Sequence, residues 1–264
     1  MGFDAPIGMP RSYLAAVGAA DFRGWLRRAP PAALVPAGPG EEWSLERPFL
    51  AIPPGEGERR RAEQRFRDRG VDWMREVEKR TGAKPVFVAS GIPGAVGSSA
   101  IDLWKGLQPL DGRVPMWPFD GSLETLLRGR TPVVVAEIYP RLAYSIAIGM
   151  AGPARRSRLA VAKTRGTGRP FIASAVAPSR WVRRRRVGLE GLSRAARSDD
   201  AFDALVSAMA VLRCVLDRTP LVDRRFEDGE AEGGILLSGG VRLDLKEQVF
   251  GRSWMSMGAP SRLR

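Results

Sequence analysis

The sequence predicts an α/β fold. Three observations lead there: a continuous β-branched run at Pro132-Val-Val-Val-Ala-Glu-Ile138, an apolar helical segment from Asp200 to Leu216, and further helical patterns separated by short apolar runs. With 264 residues and 44% hydrophobic content, the chain is long and apolar enough to bury a sizeable core.

Taken in order, Gly2-Phe3-Asp4 reads as the end of a strand, which the prolines and glycine of Ala5–Pro10 terminate. Ala20 to Arg28 suits a short helix with Asp21 near its start. Residues 29–57 are rich in Pro and Gly and read as an irregular loop. Arg59 to Arg80 reads as one long charged helix with a narrow stripe of Phe66, Trp73 and Val77. Pro85 to Ala89 is a short apolar run, and a Gly-rich turn from Gly91 to Ser99 leads into a helix through Leu107. Trp117-Pro-Phe-Asp-Gly121 is a turn, followed by a short helix over Ser122–Leu127. The Val-rich run has the pattern of a central strand covered on both faces. Tyr139-Pro140 stops it, and residues 141–149 turn back as a helix. Residues 151–198 are basic, with helical pieces. The segment from Asp200 is apolar almost all round and is expected to be buried. Gly233 to Ser238 suits a closing strand, and the residues after it read as a tail.

Composition excludes several chemistries. The chain has no histidine, which removes Ser-His-Asp and Cys-His catalysis and histidine metal sites. Its one cysteine, Cys214, rules out an internal disulfide and a Cys-based zinc centre, and reads as a small core residue on the apolar helix. No stretch has the roughly 18–20 uninterrupted apolar residues of a membrane span. An acid at position 4 and the lack of a basic-then-apolar run argue against a secretory signal, so no membrane partner and a cytoplasmic location are expected. The formal charge of +13 attracts polyanions in a salt-dependent way, although an Arg-, Ala- and Gly-rich composition is the rival explanation.

Chemistry must therefore run on carboxylates, Lys, Tyr, Ser or a bound ion. Asp4 lies where a strand gives way to a Pro-containing turn, Glu137 near the end of the Val-rich strand, and Asp203 in the first turn of the apolar helix with Asp200 three residues before it. If the Asp4 and Glu137 strands are parallel neighbours, both acids reach one sheet edge, and the helix can present its first turn there. Such a group favours a hard divalent ion, Mg²⁺ or Mn²⁺, which can activate water for phosphodiester hydrolysis. Each acid has a bland alternative. Asp4 can form an Asx-turn, Asp199, Asp200 and Asp203 can serve the helix start, and Glu137 can pair with a nearby Arg.

The same residues carry a resemblance. Gly2-Phe-Asp-Ala-Pro-Ile-Gly-Met-Pro10, Trp117-Pro-Phe-Asp-Gly121, Ala136-Glu-Ile-Tyr-Pro140, Asp199-Asp-Ala-Phe-Asp-Ala204 and Glu232-Gly-Gly-Ile235 occur in this order. Together they resemble a family of predicted ribonuclease-H-like nucleases, a group with a domain of unknown function. The resemblance implies a ribonuclease-H-like mixed sheet flanked by helices over residues 1–238, with 239–264 as a tail. Residues 19–130 become a large helical and loop insertion between the first two core strands. It implies an acidic metal site of Asp4, Glu137, Asp200 and Asp203, with Asp4, Glu137 and Asp203 catalytic. In the wider superfamily an antiparallel meander bearing the first catalytic acid precedes these elements, so the chain is expected to be N-terminally incomplete.

Two further features stand apart from the acids. Gly91, Gly94, Gly97, Ser98 and Ser99 suit either a phosphate cradle at a helix start or a capped Gly-rich turn. Trp181 with Arg183, Arg184, Arg185 and Arg186 suits either a nucleic-acid contact, with Trp181 stacking a base, or a solvated charged face. The reading is a metal-dependent nuclease with nucleic acid as partner. The alternatives are a binding-only relative without chemistry and a small-molecule phosphotransferase.

Overall fold

Backbone pairing ties the beginning, middle and end of the chain together. The computed structural model describes residues 1–38, 41, 43–92, 95–129, 133–147, 180–217 and 231–236. Its elements begin with β1 (Gly2–Phe3), α1 (Arg11–Ala16), α2 (Phe22–Arg28), β2 (Leu50–Ala51), α3 (Glu58–Asp68), α4 (Glu76–Thr81) and β3 (Val88–Ser90). They continue with α5 (Gly97–Leu107), α6 (Leu123–Arg128), β4 (Ala136–Ile138), α7 (Pro140–Ala147), α8 (Arg180–Arg185), α9 (Leu192–Ala195), α10 (Asp199–Asp217) and β5 (Ile235–Leu236). The class is mixed α/β, as expected. The sequence's helical pieces within 151–179, its tail at 239–264, Gly94 and the side chain of Cys214 lie outside the described residues.

Strand β4 is central, in the order β1-β4-β5, and both pairings are parallel. Gly2 stands opposite Ala136 and Phe3 opposite Glu137, while Glu137 and Ile138 face Ile235 and Leu236. Within the Val-rich run Ala136–Ile138 is thus a central strand, and Ile235–Leu236 supplies the closing one expected near Gly233. Ladder pairing is short, with Val135 instead bridging to Met116. All strand pairs among the described residues are parallel.

Close backbone approach explains several motif glycines. A Cβ on Gly8 would lie 1.8 Å from the Glu232 carbonyl oxygen, and one on Gly233 would lie 2.1 Å from that of Ile7. One on Gly234 would meet the Trp117 ring at 2.7 Å. The segments around Gly8, Trp117, β4 and Gly233 are therefore packed on one another. Glu232 joins them, because its carboxylate accepts the backbone N–H of Arg11 at 2.8 Å and of Glu76 at 3.0 Å. Those are the first residues of α1 and α4, where backbone donors lack intrahelical partners.

The segment expected as helix and loop holds a core of its own. Within 29–57, read as irregular, Leu50–Ala51 pairs with Val88–Ser90 as a second parallel sheet. Around it pack Trp25, Trp43, Phe49, Phe66, Trp73, Phe87 and Trp104, all buried. Trp104 also donates through Nε1 to the Pro6 carbonyl at 2.8 Å, fastening α5 to the turn after β1. The long helix expected from Arg59 to Arg80 is two helices. Gly70 adopts φ +68°, Val71 N–H bonds to Phe66 O at 3.0 Å and Gly70 N–H to Arg67 O at 2.9 Å, a closing pattern that ends α3. The break lets Trp73 turn onto Phe66, with ring centroids 5.6 Å apart, while Val77 joins the second core with Trp117, Phe202 and Ile235.

Candidate functional site

The parity of a strand decides which side of the sheet each acid faces. Side chains alternate at a period of two. With Phe3 opposite Glu137, Asp4 comes level with Ile138 and faces away from Glu137. The cavity lining follows that rule. A cavity of about 910 Å³ is walled by Gly2, Asp4, Ala136, Ile138 and Leu236, but not by Phe3, Glu137 or Ile235. Helix α10 forms another wall with Asp200, Asp203 and Ser207. Of the four expected metal ligands, the fold brings Asp4, Asp200 and Asp203 to one cavity and turns Glu137 to the opposite face.

Glu137 is accounted for there. Arg75 grips it with two bonds, Nη1 to Oε2 and Nη2 to Oε1, each 2.8 Å, and Ile7 N–H donates to Oε2 at 2.8 Å. The Arg75 Nε donates to Glu78 Oε1 at 2.8 Å. Arg75 and Glu78 are fully buried and Glu137 is 4% exposed. The Arg pairing named as an alternative is thus the arrangement found. Burial favours the neutral form of Glu78 more than Arg75 opposes it, and the Glu137 charge adds to this, so its carboxyl is pushed up to about 7. Burial works against the Arg75 charge, but Glu137 and Glu78 outweigh it and hold the guanidinium protonated.

The cavity acids sit differently. Asp203 is 5% exposed and accepts a hydrogen bond from the Tyr144 hydroxyl at Oδ1. Burial, that bond, and the charges of Asp203, Asp4 and Asp199 all oppose loss of the Tyr144 proton, so the phenol remains a donor. Asp4 and Asp200 are exposed. These oxygen donors fit a hard divalent ion in kind, though among the described residues no three acids are already closed into a chelating group.

Helix α10 is not buried all round. Leu212 is 41% and Val215 56% exposed, and with Ala208 and Val211 they line the cavity beyond Ser207. The Ser207 residue is 7% exposed, and its Oγ has no hydrogen-bond partner among the described residues. Sequence reasoning passed over Tyr144, Ser207 and Arg75. Ser207 was within reach, being four residues from Asp203 and hence on the same helical face.

Of the other expected sites, Trp181 does not suit base stacking. It is 6% exposed, donates through Nε1 to the Ala147 carbonyl at 2.7 Å, and lies under the Arg213 guanidinium, 5.9 Å from its ring centroid. The indole packs inward because α8 needs an apolar anchor against α7, leaving Arg183, Arg184, Arg185 and Arg186 exposed. The Gly-rich turn serves packing: a Cβ on Gly97 would lie 2.7 Å from the Val88 backbone, and the Ser98 hydroxyl donates to Ala89 O at 3.0 Å. Ser99 reaches the cavity wall. No family model, curated protein or solved structure matches this chain.

Proposed function

We propose that the chain is a divalent-ion-dependent phosphodiesterase of the nuclease type, working at the cavity lined by Asp4, Asp200 and Asp203. The observation that carries this reading is the convergence of those three acids, from two distant segments, on one wall-bounded cavity of a strongly basic protein. Bound Mg²⁺ or Mn²⁺ would supply a polarised water and charge neutralisation at the phosphate. Asp4, Asp200 and Asp203 would hold it. Tyr144 fixes the orientation of Asp203 and keeps one of its oxygens occupied. Glu137 acts at a distance, since its pairing with Arg75 holds β4 and the turn at Ile7 in place. The ribonuclease-H-like architecture belongs to the same proposal, supported by the parallel β1-β4-β5 sheet with α7 and α10 on one face.

The test is cleavage of plasmid and of single-stranded DNA and RNA with Mn²⁺. Asp203→Ala is expected to lose at least about 100-fold in rate. An Asp203→Ala protein that cleaves as well as the parent overturns the reading. A binding-only protein remains the second reading, favoured by the engagement of Glu137 with Arg75. It predicts salt-sensitive binding to nucleic acid that EDTA leaves unchanged.

A further inference from the structure

The wall that α10 gives the cavity changes character along its length. Asp200 lies in the first turn and Asp203 at the start of the second, Ser207 follows one turn later, and Ala208, Val211, Leu212 and Val215 make an apolar stretch. Beyond it, the Arg185 guanidinium donates to the Leu216 carbonyl at 2.7 Å, which sets α8, with exposed Arg183 and Arg184 and with Arg186 just after it, against the last turn of α10. From Asp200 to Leu216 the path covers roughly 24 Å at the helical rise. The order is acid, hydroxyl, apolar, basic.

We propose that this groove binds an unpaired nucleotide segment of a nucleic-acid strand, with Ser207 as a specificity-determining contact. The inference rests on the phosphodiesterase reading for the acidic end and adds the substrate class. The scissile phosphate belongs at the acids. The attached nucleoside lies along the apolar stretch, where a base edge meets Ser207 Oγ. The next phosphate approaches Arg183, Arg184 and Arg186. Two facts point to an organic ligand rather than an ion alone. A buried hydroxyl left unpaired is unfavourable, and Ser207 Oγ is both buried and unpartnered among the described residues, on a residue that lines the cavity. The volume, about 910 Å³, lies in the range of small-molecule sites, and its lining is mainly apolar with few polar groups. A stacked duplex base cannot enter such a groove, whereas an unpaired one buries its faces there.

Fluorescein-labelled single-stranded DNA and RNA octamers, each prepared intact and with three consecutive abasic residues, test this by anisotropy in Ca²⁺. The abasic run is expected to weaken binding about tenfold. Ser207→Ala is expected to weaken the intact octamer about fivefold and the abasic one less than about twofold, because one hydrogen bond is lost only when its partner is present. The free Ser207→Ala protein should melt no lower than the parent, since the substitution removes an unpaired buried hydroxyl and installs a better helix former. Equal affinity for intact and abasic octamers overturns the proposal, as does an equal loss on both accompanied by a lower Tm. Failure of Mn²⁺ cleavage with base discrimination intact removes the phosphodiesterase reading and leaves the nucleotide groove. Cleavage without base discrimination does the reverse.

Discussion

Replacing Arg75 by Met leaves two carboxylates buried without a counter-charge, and the structure sets the size of the effect. Three guanidinium bonds of 2.8 Å disappear, two to Glu137 and one to Glu78. Met fills much of the same volume, so a cavity contributes little. Glu137 retains Ile7 N–H and Glu78 retains the backbone N–H of residue 75 at 2.9 Å. Breaking a buried pair from one side typically costs about 3–5 kcal/mol, a large share of the roughly 5–15 kcal/mol that holds a domain folded. Urea unfolding followed by tryptophan fluorescence at pH 8 should show that loss with an unchanged m-value. The deficit should shrink as pH falls. Without the guanidinium, burial is left to favour the neutral form of Glu78, so the native form of the variant gains stability on acidification. Adding Glu137→Gln to Arg75→Met should cost less than the sum of the single changes. A loss below about 1 kcal/mol at pH 8, or one that does not vary with pH, would refute the reasoning.

Other consequences are more local. Glu78, pushed up to about 7 in the folded chain, takes up its proton there before the unfolded chain does. Its contribution therefore falls as pH rises from the unfolded carboxyl range through about 7, and relative to Glu78→Gln the parent should gain on the order of 3 kcal/mol between pH 8 and pH 4.5. A flat difference between the two denaturation series would contradict this. Glu232→Ala removes the acceptor for two helix starts and should cost about 2 kcal/mol, with Glu232→Gln recovering about half, as read from urea midpoints.

Local physics made much of the fold legible. Asp21 caps α2 by accepting Gly24 N–H at 2.6 Å, and Ser122 caps α6 by accepting from Thr125 N–H at 3.2 Å, both from residue types suited to the task. The central strand and its parallel neighbour were readable from the Val-rich run and the Pro-terminated start. Gly70 carried a break signal that the charge pattern of 59–80 masked. The acids were the harder case. Asp4 directly follows β1, which does pair in parallel with the strand of Glu137, but a single-residue difference in register sends the two acids to opposite faces, and no local pattern states the register. Arg75 and Glu137 are 62 residues apart, and only the packed chain shows that they meet. The apolar character of α10 suggested burial all round, because a cavity wall and a core face use the same side chains.

Mn²⁺ titration followed by electron paramagnetic resonance shows whether Asp4, Asp200 and Asp203 share an ion site from which Glu137 is turned away. Asp203→Asn is expected to weaken Mn²⁺ binding at least about tenfold while folded Glu137→Gln binds as the parent does. Binding that survives Asp203→Asn unchanged, or that falls equally in Glu137→Gln, would contradict it.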